Sequence, residues 1–179
     1  MRIKFQGARP ALFLDLDSTV RYCIDPEKQC PNTPEEVMIY PGVVDKIKNF
    51  KEAGFFIFGV SNQGGIELGY MTEEDCQKVM EATDTKMDNV FDTIIWASEL
   101  KSHNRKPNPG MIEQLTRKYN VDLDTSIMVG DKDSDLMCSL NAGVRQFFYA
   151  KDFFVEGHQE VERKQKLDHL NTNFSDLMR

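Results

Sequence analysis

Two aspartates, one residue apart, close an apolar run in "LFLDLDSTV", residues 12–20. Carboxylates are costly to bury unless they are paired or bound to a cation, so a hydrophobic strand ending in Asp15 and Asp17 needs a reason. Residues of related chemistry stand at the ends of other apolar runs. "FGVSNQGG" ends in Ser61 and Asn62, and "VGDKDSD" in Asp131, Asp133 and Asp135. "RKPNPG" places Arg105 and Lys106 just ahead of a helical pattern. An oxygen-only set of aspartates, without His or Cys nearby, suits a hard cation. Mg²⁺ fits best, since it takes few protein oxygens, keeps waters and accepts phosphate. A lysine beside such an ion adds a positive point charge for a phosphoryl group.

Five short apolar runs must position these side chains: residues 11–16, 55–61, 91–97, 125–131 and 144–150. Each is nearly continuous in apolar residues rather than alternating, as in strands covered on both faces of a parallel sheet. Helical patterns lie between them. Val43, Val44, Ile47 and Phe50 share one face, with Gly54 as a C-terminal stop. Thr72 and Asp75 stand at capping-box spacing before the next helix. Pro109 belongs to the first turn of a third, whose buried side is Met111, Ile112 and Leu115, and a fourth ends at Gly143. This alternation predicts an α/β fold: a doubly wound parallel sheet, Rossmann-like, with right-handed crossovers. Ligands of such sheets bind outside the carboxyl ends of the strands, which gathers the residues above at one edge.

Two segments fall outside the alternation. Residues 20–41 hold four of the seven prolines and read as an irregular excursion beside that edge, a flap or specificity element. Residues 151–179 are polar and charged, and read as a peripheral tail with a helix over 158–170 and with His158 and His169 solvated. The 179 residues suffice for a single domain, with its core over 8–150. The formal net charge of −7 argues against broad binding to nucleic acid or an anionic membrane. No stretch has the length of a membrane span. Four cysteines without a C-x-x-C pair, and no secretory leader, point to reduced thiols and a cytoplasmic location.

In combination, the motifs resemble the haloacid dehalogenase superfamily of phosphohydrolases. That family pairs an apolar strand with D-x-D-x-[TV], here "LFLDLDSTV". It follows with a strand ending in Ser or Thr, here "FGVSN", then a lysine, here Lys106, then an acidic pair after a strand, here "VGDKDSD". "SNQGGIELGYMTEED" and "RKPNPGM" are similar to the branch holding heptose bisphosphate and histidinol phosphate phosphatases. The intervals from Asp17 to Ser61 and from Ser61 to Lys106 leave no room for a large cap domain. Two departures stand out. "SELKSHNRKP" carries only His103 where many members of the branch have a Cys and His zinc loop, so no zinc is expected. Ser18 replaces a common glycine, which an exposed turn position is expected to tolerate.

The resemblance implies a nucleophilic Asp15 that becomes an aspartyl-phosphate, and Asp17 as general acid and then base. Thr19 would fix the turn. Ser61 and the Asn62 backbone would bind the phosphoryl group, Lys106 would neutralise charge, and Arg105 would bind substrate phosphate or hydroxyls. Mg²⁺ would be held by Asp15, the Asp17 carbonyl and Asp131. Asp135 would support it through water or a hydrogen bond, ahead of Asp133, which equally reads as a first-turn acid of the next helix. The expected activity is a Mg²⁺-dependent phosphomonoesterase acting on a small sugar or polyol phosphate. Two alternatives stay open. One is a polynucleotide 3′-phosphatase, disfavoured by the acidic charge. The other is a receiver-like module with a phosphorylated aspartate, which has no use for Asp17.

Overall fold

The structure, a computed structural model, describes residues 7–177, with side chains described as far as residue 169. The chain opens with β1 (Ala11–Leu14), a hairpin of β2 (Arg21–Cys23) and β3 (Val37–Ile39), and helix α1 (Val43–Glu52). β4 (Phe56–Asn62), α2 (Glu73–Lys86), β5 (Thr93–Ala97) and α3 (Gly110–Tyr119) follow. β6 (Ile127–Gly130), α4 (Asp133–Ala142), β7 (Gln146–Tyr149), the short α5 (Ala150–Phe153) and α6 (Val155–Leu177) complete it. Five strands form one parallel sheet in the order β5-β4-β1-β6-β7. The chain winds outward from β1 through β4 to β5, then returns to place β6 and β7 on the other side. The order therefore reverses beside β1, where such sheets open a crevice at their carboxyl edge.

The unbroken apolar pattern of β1 has a direct cause. Successive side chains of a strand point to opposite faces. Leu12 and Leu14 enter a core with Ile47 of α1, Val79 and Met80 of α2, and Phe153 and Phe154. Ala11 and Phe13 enter a second core with Met111, Ile112 and Leu115 of α3 and Cys138 of α4. With both faces covered, neither alternate position can be polar until the strand ends, and Asp15 is the residue that follows. Leu14 pairs with Gly59 and with Val129, so Asp15 emerges between the two neighbouring strand ends. The capping box at Thr72 and Asp75 is present in full.

Three expectations are corrected. Residues 20–41 are not wholly irregular, because β2 and β3 pair antiparallel with Arg21 opposite Ile39. Strands of three residues between prolines leave too little alternation to read. The third sheet strand starts at Thr93 rather than Phe91, because the Asp92 carboxylate caps the Ile57 N–H at 2.8 Å from the turn before it. The tail is also not simply peripheral. α6 begins at Val155 and runs past 170, and Phe154 just ahead of it is buried together with His158 and Val161 of its first turns. Gly157 permits the approach, since a Cβ there would stand 2.1 Å from the Pro41 carbonyl oxygen. Among the described residues no helix is long and apolar enough to cross a membrane.

His158 is buried, not solvated. Its ring stacks on Tyr40 at 3.9 Å, and Nε2 donates to the Thr19 carbonyl at 2.9 Å, which assigns the proton to Nε2. Burial pushes its pKa below the ordinary 6.5, against the Thr19 carbonyl, Glu162 and Asp131, which favour the charged ring. A folded pKa below the unfolded one means that the His158 contribution is complete above the unfolded value and is lost as pH falls towards the folded one. Urea midpoints of the wild type should therefore drop more steeply from about pH 7 to about pH 5 than those of His158→Gln. Parallel slopes for the two proteins would contradict this.

Candidate active site

The Asp15 position is held by the sheet itself. The Asp15 N–H donates to the Val129 carbonyl at 2.9 Å, extending the β1–β6 ladder by one residue. Past it the chain turns sharply. The Leu16 carbonyl accepts from the N–H groups of Thr19, Val20 and Arg21, and Thr19 Oγ1 donates to Asp15 Oδ2 at 3.0 Å. Thr19 thus fixes both the turn and the carboxylate. Ser18 sits in this turn at φ 62° and is half-buried. That conformation, rather than exposure, explains why glycine suits the position: a residue with a Cβ gives up about 1 kcal/mol there.

Lys106 reaches across the sheet edge into the same space. Its Nζ lies 2.5 Å from Asp15 Oδ1, 2.7 Å from Asp135 Oδ1 and 2.8 Å from the Val60 carbonyl. Exposure is 6% for Asp15, 4% for Lys106 and 2% for Asp135, so water screens none of the three. The Asn62 side chain clasps the Lys106 main chain, accepting from its N–H at 2.9 Å and donating to its carbonyl at 3.0 Å. The Asn62 side chain is thereby committed to locating the lysine, whereas the substrate contact expected of this residue was through its backbone. Asp135 is fastened as well, since its Oδ2 accepts from the N–H groups of Asp131 at 3.1 Å and Lys132 at 3.0 Å. Gly130 makes room for it, because a Cβ there would meet the Asp135 Cβ at 2.4 Å. Asp133 lies apart, exposed and accepting from Tyr149 Oη at 2.7 Å.

Carboxylate oxygens of Asp15, Asp131 and Asp135 lie within 4.8 Å of one another. Lys106 is the buried cation of this group, and the exposed Lys132 Nζ stands 3.7 Å from Asp131 Oδ2, so three carboxylates still outnumber the two lysines beside them. Asp131 Oδ1 is buried and has no hydrogen-bond partner, which leaves an oxygen available to a metal ion. The donor set is all oxygen, and it fits Mg²⁺. The Asp17 side chain is not part of the set. Arg21 Nε donates to Asp17 Oδ1 at 2.8 Å, and Gln63 Nε2 donates to Oδ2 at 2.8 Å. Gln63 Nε2 also donates to Ser61 Oγ at 2.8 Å, which leaves the Ser61 hydroxyl hydrogen free for another acceptor. Arg105 is half-buried beside Gly64, its Nη1 buried without a partner, and it lines with Lys106 a cleft of about 480 Å³.

Burial, opposed by Lys106, pushes the Asp15 carboxyl up to about 7, with Asp135 and Asp17 adding to the rise. Burial works against the Lys106 charge, but Asp15 and Asp135 outweigh it and hold its pKa above the ordinary 10.5. Asp131 is also raised, by burial. The arrangement is a strongly bound ammonium between carboxylates whose negative charge is only partly matched.

A strand-end aspartate, a fixed lysine and converging acidic groups on this sheet are the arrangement that the motif resemblance implied. Residues 14–149 match the model of the haloacid dehalogenase-like hydrolases. The chain belongs to that family. A D-glycero-beta-D-manno-heptose-1,7-bisphosphate 7-phosphatase of Rhodopseudomonas palustris is 29% identical, over 82% of this chain and 87% of its own. The enzyme of the same description from Helicobacter pylori strain 26695 is 30% identical over 75% of this chain and 80% of its own. A solved D,D-heptose 1,7-bisphosphate phosphatase from B. bronchiseptica, in complex with magnesium and phosphate, superposes with a TM-score of 0.68. It is 24% identical and covers 76% of this chain and 78% of its own, so the likeness is one of fold. The protein is a phosphatase of the heptose bisphosphate phosphatase branch.

Sequence reasoning found Asp15, Ser61, Lys106, Asp131 and Asp135, and the fold brings them to one edge. It missed Gln63 and Arg21. Gln63 was within reach, since it stands two residues past Ser61, and β-alternation returns a side chain to the same side at that spacing. Arg21 gave no comparable sign. Lys106→Met should lower unfolding free energy at neutral pH by about 3–5 kcal/mol, because it strands two buried carboxylates. The loss should shrink at about pH 5, where protons replace the missing cation. Urea titration of both proteins at the two pH values checks this, and a loss that does not change with pH would refute it.

Proposed function

We propose that the protein is a Mg²⁺-dependent phosphomonoesterase that works through an aspartyl-phosphate on Asp15 and takes a sugar phosphate of the heptose phosphate kind. The observation that carries this reading is the Lys106 ammonium shared between Asp15 and Asp135. It holds the Asp15 carboxylate immobile and partly neutralised, so that one anion can approach another. The substrate class rests on the relatives, which are heptose-1,7-bisphosphate 7-phosphatases. The magnesium and phosphate of the B. bronchiseptica enzyme support the cofactor. Asp15, Asp131 and Asp135, with the main-chain carbonyl of Asp17, would hold the ion. When bound, it supplies positive charge to the phosphoryl oxygens.

The residues divide the work as follows. Lys106 and the Ser61 hydroxyl hold phosphoryl oxygens, with Arg105 available to substrate hydroxyls or phosphate. The Asp15 carboxylate forms a bond to phosphorus as the bond to the leaving oxygen breaks. That oxygen keeps the electron pair and takes a proton from Asp17. Asp17, now a carboxylate, removes a proton from the water that attacks phosphorus. Inorganic phosphate leaves, and Asp15 and the Asp17 proton are restored. Four free cysteines, three of them buried, suit a reducing compartment such as the cytoplasm.

A panel of sugar phosphates, polyol phosphates and a 3′-phosphorylated oligonucleotide, assayed with Mg²⁺ and with EDTA, tests the assignment. Heptose phosphates should turn over fastest, EDTA should stop the reaction, and Asp15→Asn should reduce kcat by at least about 10⁴-fold with the fold intact by circular dichroism. Near-wild-type turnover by Asp15→Asn would defeat the mechanism, and a preference for the oligonucleotide would defeat the substrate class. In a thermal melt, Mg²⁺ should raise the Tm of the wild type and leave that of Asp131→Asn almost unmoved. Equal shifts in both would remove Asp131 from the metal site.

A further inference from the structure

Arg21 is fully buried, and no step above uses it. An arginine without solvent must have its N–H groups engaged, and here the partners are specific. Nε donates to Asp17 Oδ1 at 2.8 Å, and Nη2 lies 3.3 Å from Asp17 Oδ2. Nη1 turns the other way, donating to Thr83 Oγ1 at 2.6 Å and lying 3.6 Å from Met80 Sδ, both on α2. The Thr83 hydroxyl in turn donates to the Val79 carbonyl at 2.7 Å, so the anchor is tied into the helix backbone. The guanidinium therefore runs as a rigid strut from α2 to the Asp17 carboxylate.

The geometry points to Arg21 as a positioning residue for Asp17. The inference rests on the acid–base role given to Asp17 above. A carboxylate on a short side chain can rotate about two bonds, and proton transfer works only within hydrogen-bond reach and in line with the leaving oxygen. A planar guanidinium fork fixes both the place and the plane of the carboxylate; an ammonium fixes neither as well. Asp17 Oδ2 shares the Gln63 amide with Ser61 Oγ, so the fork sets that oxygen beside the phosphoryl-binding hydroxyl. Arg21 itself touches no reacting atom. Its effect should appear only where the leaving group needs a proton from Asp17.

The test compares p-nitrophenyl phosphate, whose leaving group departs without a proton, with benzyl phosphate, whose alkoxide needs one. The variants are Arg21→Lys, which keeps the charge and loses the fork, and Thr83→Val, which removes the anchor on α2 and leaves the Asp17 pair. For Arg21→Lys, kcat on benzyl phosphate should fall by about 30-fold or more, with KM unchanged within about twofold and p-nitrophenyl phosphate slowed less than about threefold. Thr83→Val should shift the ratio of the two kcat values in the same direction by a smaller factor. Both proteins are first checked for native circular dichroism and cooperative melting. If Arg21→Lys does not fold, the ratio for Thr83→Val decides the matter. Equal losses on the two esters, losses confined to KM, or an unchanged ratio would overturn the proposal. A wild type that hydrolyses neither ester with Mg²⁺ would overturn the phosphatase reading instead, so the two failures are distinguishable.

Discussion

The structure turns on one ammonium group held between two buried carboxylates. Lys106 keeps Asp15 and Asp135 together at a distance where, unpaired, they would repel strongly. Much of the surrounding architecture serves to make that contact fixed. β1 and β6 set the height of Asp15, the turn between β6 and α4 supplies two N–H donors to Asp135, and Asn62 grips the main chain on either side of Lys106. The contact is also incomplete by design of charge. Asp131 stands beside it with a buried oxygen that accepts no hydrogen bond, which leaves that oxygen available to a further cation.

A buried cluster of this kind works against stability and for chemistry. Removing three carboxylates and a lysine from water carries a large desolvation penalty, and mutual attraction restores only part of it. Under the proposed mechanism the reward is a dry, preorganised field at the point where phosphoryl charge would arrive. The raised Asp15 carboxyl, about 7, reflects the same tension, since burial lifts it and Lys106 opposes the rise only in part.

Legibility in the sequence followed the distance over which each feature is determined. The five sheet strands and the four helices between them are set by local periodicity and end signals, and they stood close to where the runs placed them. Asp15, Ser61, Lys106 and Asp131 were visible because each ends or precedes such an element. The hairpin over 20–41 was not, since its pairing of Arg21 with Ile39 depends on contacts between short segments with no periodic signal. The packing of His158 under Tyr40 depends on a long-range approach through Gly157, which no local pattern announces. The side-chain clasp of Asn62 gave no sign in the sequence, because its partner, the Lys106 backbone, lies forty-four positions away.

That clasp on the main chain separates where residue 106 sits from what side chain it carries. Trimming the lysine back to alanine would leave the loop in place and a narrow slot open between Val60, Asp15 and Asp135, shaped like the missing alkylammonium. Such a slot is a receptor for small primary amines, and methylamine or ethylamine added to the solution would enter it as a detached stand-in for the residue.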